Sequence, residues 1–313
     1  MKLFLLGRRH SVNAWLEDAA AAFTAAGHTV LTGHVRRPPI PLALERPMWP
    51  ARGEALARAI ARAEPELVLV IGGFHIPTPI LEAVAGAPGR PPLAGWVGDA
   101  FGPEAAPLAQ RYDAIGFTDT ALVARASHQG FGGAGFFLPH AADPSGDWPQ
   151  ARRRDPRMVF VANPTPLRRA VAAQLSLPMV LVGPGWGAAD GPHERLARRV
   201  PPARVRSLYG AHAAALNIRN EEHVLAGLNQ RSFAPPLAGA ALVADAQPDL
   251  ELCFEPGEEV AVWRDVAELE AIYARLLAEP AEAERLASAA RRRILAAHTF
   301  AHRLATLVGA LNI

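Results

Sequence analysis

Lysine is almost missing from this chain. Lys2 is the only one, so nearly all of the basic charge is arginine. Beside so much alanine and proline, that reads first as compositional bias, although the guanidinium fork is also what recognises phosphate. Cysteine is scarcer than any framework needs: Cys253 stands alone, which excludes an internal disulfide and a thiolate metal cluster. A surplus of one charge is lacking as well. Lys and Arg number 32 against 30 Asp and Glu, and a net charge of +2 argues for no nucleic-acid partner. No run of 18 apolar residues occurs, so no transmembrane segment is expected. The run at residues 2–7 is short and reads as a first strand, not a signal peptide. Asp-x-Asp, the Walker A pattern, His-Glu-x-x-His and Gly-x-Ser-x-Gly are all absent. No metal-ligand set is therefore expected, nor a P-loop or a hydrolase elbow. These absences leave a cytoplasmic protein.

What is present is ordinary for a globular chain: 313 residues, half of them apolar and a fifth charged. At ~150 residues per domain, two domains are expected. Short apolar runs alternate with amphipathic stretches throughout. Leu3-Phe4-Leu5-Leu6, Thr29-Val30-Leu31, Leu67-Val68-Leu69-Val70-Ile71, Leu93-Ala94-Gly95-Trp96-Val97 and Ala114-Ile115-Gly116-Phe117 read as strands. Residues 14–26 and 52–63 read as helices between them. This alternation predicts parallel sheets with crossover helices. The polar stretch at residues 143–157 reads as a linker, after which Met158-Val159-Phe160-Val161 restarts the pattern. Domains of 1–148 and 149–313 follow.

Gly130-Phe131-Gly132-Gly133-Ala134-Gly135 spells the dinucleotide fingerprint, but a helix precedes it and a strand follows, the reverse of what the fingerprint needs. No NAD site is expected there. Asn163-Pro164-Thr165-Pro166-Leu167-Arg168-Arg169 is better placed. It leaves a strand, with Thr165 as N-cap and Pro166 at the first helical position. The free amides of such a start favour anions, and Arg168 or Arg169 can fork onto phosphate unless they merely face solvent. Gly183-Pro184-Gly185-Trp186 follows the next strand, where glycine lets a ligand approach the backbone. Trp186 either stacks on a base or plugs the sheet edge. Gly227-Leu228-Asn229-Gln230-Arg231 precedes another helix, at whose start Asn229 suits a cap. In the first half, Asp99, His75 and His10 lie just beyond strands, where each is either a general base or a hydrogen-bonding loop residue.

The order of motifs from Ser207 to Arg303 resembles the C-terminal half of the CgeB-like glycosyltransferases, whose fold is GT-B. Gly-x-Gly-Trp at Gly183 and Trp-x-x-Asp at Trp96 to Asp99 are similar to that family's segments, as is Leu138-Pro139-His140-Ala141-Ala142-Asp143-Pro144. The resemblance implies an α/β protein of two doubly wound Rossmann-type domains facing a cleft. Its second domain would grip a nucleoside diphosphate sugar, a co-substrate rather than a cofactor, through Asn163, Arg168, Arg169, Gly183, Gly185, Trp186, Gly227, Leu228, Asn229 and Arg231. The last helix would cross back to the first domain. Transfer would be metal-independent, with arginine offsetting the diphosphate charge, and retention is suggested by analogy alone. The acceptor, whether glycan, protein or small molecule, stays open.

One departure from the family bears on function. Related transferases carry a glutamate just after the position of Phe233, and some a second one eight residues earlier; here these are Ala234 and Ala226. Pro235-Pro236 then removes two amide donors, so the helix start must shift or bend. A catalytically inactive GT-B-like binding or scaffold protein is the alternative, and a GT-B isomerase a third reading.

Overall fold

The computed structural model describes residues 1–8, 14–35, 42–131, 135–196 and 199–313. The chain divides into two compact units. One holds Ala14–Pro139 with the first strand and Phe300–Ile313, the other His140–Thr299. The division falls ahead of the polar stretch at 143–157. That stretch is itself ordered at its end, because the strand starts at Asp155, before the apolar run.

The first unit comprises β1 (Lys2–Arg8), α1 (Trp15–Ala25), β2 (Thr29–Val35), α2 (Leu42–Glu45), α3 (Trp49–Ala63), β3 (Leu67–Ile71), α4 (Thr78–Ala85), β4 (Leu93–Val97), α5 (Ala106–Ala109), β5 (Ala114–Phe117), α6 (Thr120–His128) and β6 (Gly135–Phe137). The strands form one parallel sheet in the order β2-β1-β3-β4-β5-β6. β3 and β4 are buried along their whole length, which is why they read as unbroken apolar runs.

The second unit comprises β7 (Asp155–Val161), α7 (Pro166–Gln174), β8 (Val180–Val182), β9 (Glu194–Leu196), α8 (Pro202–Ala211), β10 (His212–Asn217), α9 (Ala234–Leu237), β11 (Ala241–Asp245), β12 (Ala261–Trp263), α10 (Val266–Ala278) and α11 (Pro280–Ala297). Its sheet, β12-β11-β10-β7-β8-β9, is also parallel. Counted from β7, this is the order 3-2-1-4-5-6 of a dinucleotide-type fold. Tyr273 ties α10 to the sheet: its hydroxyl donates to Pro178 O at 2.6 Å and accepts from Met158 N at 3.1 Å.

The last helix, α12 (Phe300–Leu311), packs on α1 and β5 of the first unit. Phe300 is fully buried against Trp96 and Phe23, with ring centroids 5.8 and 6.1 Å away. Arg303 seals the same face by donating from Nε to Pro139 O at 2.7 Å. Among the described residues, no helix is long and apolar enough to cross a membrane.

Each sheet reverses its strand order once, between β1 and β3 in the first unit and between β7 and β10 in the second. The crevice at such a switch point, beyond the carboxyl ends of the strands, is where a doubly wound sheet takes its ligand.

Candidate functional site

Beyond β7 the chain turns through Asn163 and Pro164 into α7. Thr165 caps that helix by accepting from Arg168 N. Arg168 is not on a solvated face. It is 3% exposed and spans the switch point, donating from Nε and Nη2 to Ile218 O (3.1 and 2.8 Å) and from Nη1 to Asn163 O (3.0 Å). The carbonyl just past β10 is thereby tied to the one just past β7. Arg169 is engaged as well. Its Nη1 meets both Asp190 carboxylate oxygens at 2.7 Å, and its Nη2 donates to Gly185 O at 2.6 Å. Burial alone would raise the Asp190 pKa, but the Gly187 amide and Arg169 together hold it below the usual carboxylate range.

Gly183 lies at φ +144°, and a Cβ there would run into Ala162 O. Gly185 lies at φ +93°. Both positions therefore require glycine. Trp186 is buried against Phe160, and its Nε1 donates to Ala162 O at 2.8 Å. It plugs the sheet edge, and stacking on a base would need it to leave that hydrogen bond.

The turn after β10 is held by a side-chain network of which the sequence singled out only Asn229. Asn217, the fully buried last residue of β10, donates from Nδ2 to Ser232 Oγ at 2.8 Å and accepts at Oδ1 from Asn229 Nδ2 at 3.1 Å. Asn229 in turn accepts from Arg231 N at 2.9 Å, capping the 3-10 turn Gln230–Ser232. Gly227 and Leu228 lie buried just before it. The sequence marked Asn229 as a cap; the cue to its partner was an amide, Asn217, ending an otherwise apolar strand. Double proline does not abolish the following helix but shortens it to Ala234–Leu237.

Arg231 differs from its neighbours. Its Nε is buried with no acceptor, and among the described residues its guanidinium meets neither a carboxylate nor a carbonyl. Burial lowers its pKa. Arg168 lies within its field and is itself pushed down to about 10, by burial first and then by Arg231, with Glu221 and Asp245 acting the other way. Two cations thus share the carboxyl edge around β10, one braced and one without an anion.

In the first unit, His75 and Asp99 follow the adjacent strands β3 and β4. His75 Nε2 and Asp99 Oδ2 are 2.7 Å apart, with both side chains about two-fifths exposed. Gly72 and Gly73, at φ +82° and +41°, make the turn that brings His75 there, and a Cβ on Gly73 would strike Val97. His75 also lines a pocket of about 360 Å³ that reaches Arg8 at the end of β1. His10 lies outside the described residues.

Residues 165–309 match a family model described as glycosyl transferase-like. Among solved structures, sucrose-phosphate synthase from Thermosynechococcus elongatus has 15% identity and a TM-score of 0.70, covering 98% of this chain and 97% of that one. HepE from Anabaena, in complex with UDP and glucose, has 14% identity and a TM-score of 0.70 over 100% and 99% of the two chains. The α,α-trehalose 6-phosphate synthase from Burkholderia multivorans has 11% identity and a TM-score of 0.64 over 99% and 96%. No curated protein matches the chain in sequence. The fold is GT-B, with two parallel six-stranded sheets each flanked by helices.

Proposed function

We propose that the chain is a glycosyltransferase, of the CgeB-like kind, that moves a sugar from a nucleoside diphosphate sugar to an acceptor hydroxyl without a metal ion. The observation that carries this reading is Arg231. A half-buried guanidinium whose Nε has no acceptor among the described residues, beside a second cation at the ligand edge of a Rossmann-type sheet, is a site prepared for an anion. The diphosphate would lie against Arg231 and the turn at Gly227, Leu228 and Asn229. Gly183, Gly185 and Asn163 would let it approach the neighbouring strand ends. Arg168 and Arg169 shape that edge instead of gripping phosphate, since their donors already hold carbonyls and Asp190. As the glycosidic bond to the diphosphate breaks, Arg231 would stabilise the charge gathering on the leaving group. On the first unit, His75, oriented by Asp99, would take the proton from the acceptor hydroxyl.

UDP is the first nucleotide to try, because the HepE complexes hold UDP and UDP-glucose. Calorimetry with UDP should show binding that survives EDTA. Arg231→Ala should weaken it roughly 10- to 150-fold, the equivalent of a charge-assisted hydrogen bond of about 1.5–3 kcal/mol. Loss of binding on chelation, restored by magnesium, would sink the arginine-based account. The absent carboxylates at Ala226 and Ala234 favour a second reading, a GT-B-like binding protein. UDP binding with no sugar released from any UDP-sugar would select it.

A further inference from the structure

The pocket at the first unit's switch point differs in chemistry from the donor edge. Its wall includes Arg8, Glu45, Trp49, Phe74, His75 and Thr78. Glu45 is 3% exposed and paired with Arg52, Nη1 to Oε1 at 3.2 Å, so that carboxylate is balanced. His75 is paired with Asp99. Arg8 has no ion pair and no hydrogen bond among the described residues, although β1 delivers it to the mouth of the crevice. The Nε1 of Trp49 is buried and also lacks an acceptor. Helix α4 begins at Thr78 in the same pocket with no side-chain cap, and since Pro79 has no amide and the Ile80 and Leu81 amides bond Pro77 O, its start adds only a weak positive field. Among the described residues, what is unmatched on this wall is therefore donors and positive charge, and a buried donor left unmatched calls for an explanation.

From this we infer that the pocket binds a monosaccharide carrying an anionic substituent, phosphate or carboxylate, with the anion at Arg8 and a ring hydroxyl turned toward His75. The transferase reading enters only in naming this ligand the acceptor; the binding itself does not depend on it. The volume, about 360 Å³, suits a small ligand and not a polymer. Phe74 and Trp49 supply the apolar wall that a sugar ring needs, and the paired Glu45 keeps the pocket from cancelling the charge of Arg8.

The test is calorimetry on the full chain with no nucleotide present, using neutral hexoses, their 6-phosphates and their uronates. At least one anionic form should bind ten-fold or more tighter than its neutral parent. Arg8→Ala should erase that preference without lowering the melting temperature, and Arg8→Lys should restore part of it. Whichever of phosphate and uronate binds tighter names the substituent. Equal binding of neutral and anionic sugars would overturn the inference, as would a preference that survives Arg8→Ala. A preference lost instead in Arg231→Ala would place the anion at the donor edge and also overturn it. Failure of UDP to bind would remove the donor reading and leave this result standing.

Discussion

The two switch points can be compared residue by residue. Each lies beyond the carboxyl ends of parallel strands, and each receives an arginine from the segment that leaves the unit's first strand, beside which the order reverses: Arg8 ends β1, and Arg168 lies on α7 just after β7. Topology treats the two crevices alike, but their side chains do not. Arg168 is buried and fastened to carbonyls on both sides of its crevice. Arg8 is half-buried and fastened to nothing described. One arginine is a structural strut and the other an available ligand group. In the second unit the available cation is instead Arg231, brought by the loop after β10. A basic residue at a strand end therefore predicts ligand binding only when the local carbonyls are already satisfied without it.

The sharpest way to break this contrast is to remove both arginines in turn. Arg168→Ala leaves Ile218 O buried without its donors, at about 1–3 kcal/mol, whereas Asn163 lies exposed and its carbonyl can turn to water. With the lost packing of the buried side chain, a loss of about 2–4 kcal/mol is expected, visible as a lowered chemical-denaturation midpoint. Arg168→Lys should recover little, because one ammonium cannot span both carbonyls as a fork does. Arg8→Ala should stay within about 0.5 kcal/mol of the parent, as surface changes usually do. Equal losses at the two sites would erase the distinction between strut and ligand group.

A smaller effect is expected at Asn217. Asn217→Ala removes the hydrogen bonds to Ser232 and Asn229 and should cost about 1–3 kcal/mol. The same change should weaken UDP binding, because Asn229 caps the Arg231 amide only while Asn217 holds it in place. If binding is unchanged while stability falls, the turn is scaffolding and the donor edge lies elsewhere.

Most of the fold could be read from the chain, whereas the site could be read only in its outlines. Strands such as Leu67–Ile71 are legible because burial on both faces demands unbroken apolar sequence. Thr165 and Pro166 mark a helix start because capping chemistry is local. What could not be read is which donor meets which acceptor across long sequence separations. Arg168 and Arg169 are adjacent and chemically identical, yet one reaches Ile218 O and the other Asp190. The first strand of the second unit also starts at Asp155 rather than at the apolar run. Arg157 forks onto the Asp155 carboxylate and extends the strand into polar sequence, a gain that hydropathy does not register.

Acid should separate the two units by a further, smaller difference. In the second, His193 is locked as a neutral ring, accepting from Met179 N at Nδ1 and donating from Nε2 to Ala172 O. Burial lowers its pKa, and burial also lowers that of His212. A histidine with a lowered folded pKa contributes stability above its unfolded value of 6.5 and loses it as pH falls toward the folded value. In the first unit, Asp113 is held low chiefly by its hydrogen bonds with Arg90, so its contribution is lost only below the ordinary carboxylate value of 3.8. His28 there is shifted the same way as the buried histidines but is only partly buried, beside the chain's N-terminus. Hydrogen exchange across pH 7 to 4 should therefore show the second unit losing protection first. Simultaneous loss would mean that the two buried histidines add nothing.

The smallest expected effect runs in the opposite direction. Asp245 closes β11 at the edge proposed for the donor and is 7% exposed. Its pKa is raised by burial, against hydrogen bonds from Gln247 and the Arg219 amide that pull it down. A raised carboxyl favours the folded state while protonated and disfavours it once ionised, so the charge costs stability as pH rises past the ordinary carboxylate range. Asp245→Asn keeps an oxygen for Gln247 Nε2 and Arg219 N and gives up only a 3.8 Å pairing with the partly exposed Arg219. That pairing is worth about 0–1 kcal/mol. The asparagine variant should melt slightly higher than the parent at pH 7, and the difference should close as the pH is lowered and the parent carboxyl takes up its proton. A variant that melts lower at pH 7 would mean that the Arg219 pairing outweighs the burial of the charge, making Asp245 a second strut at the same edge as Arg168.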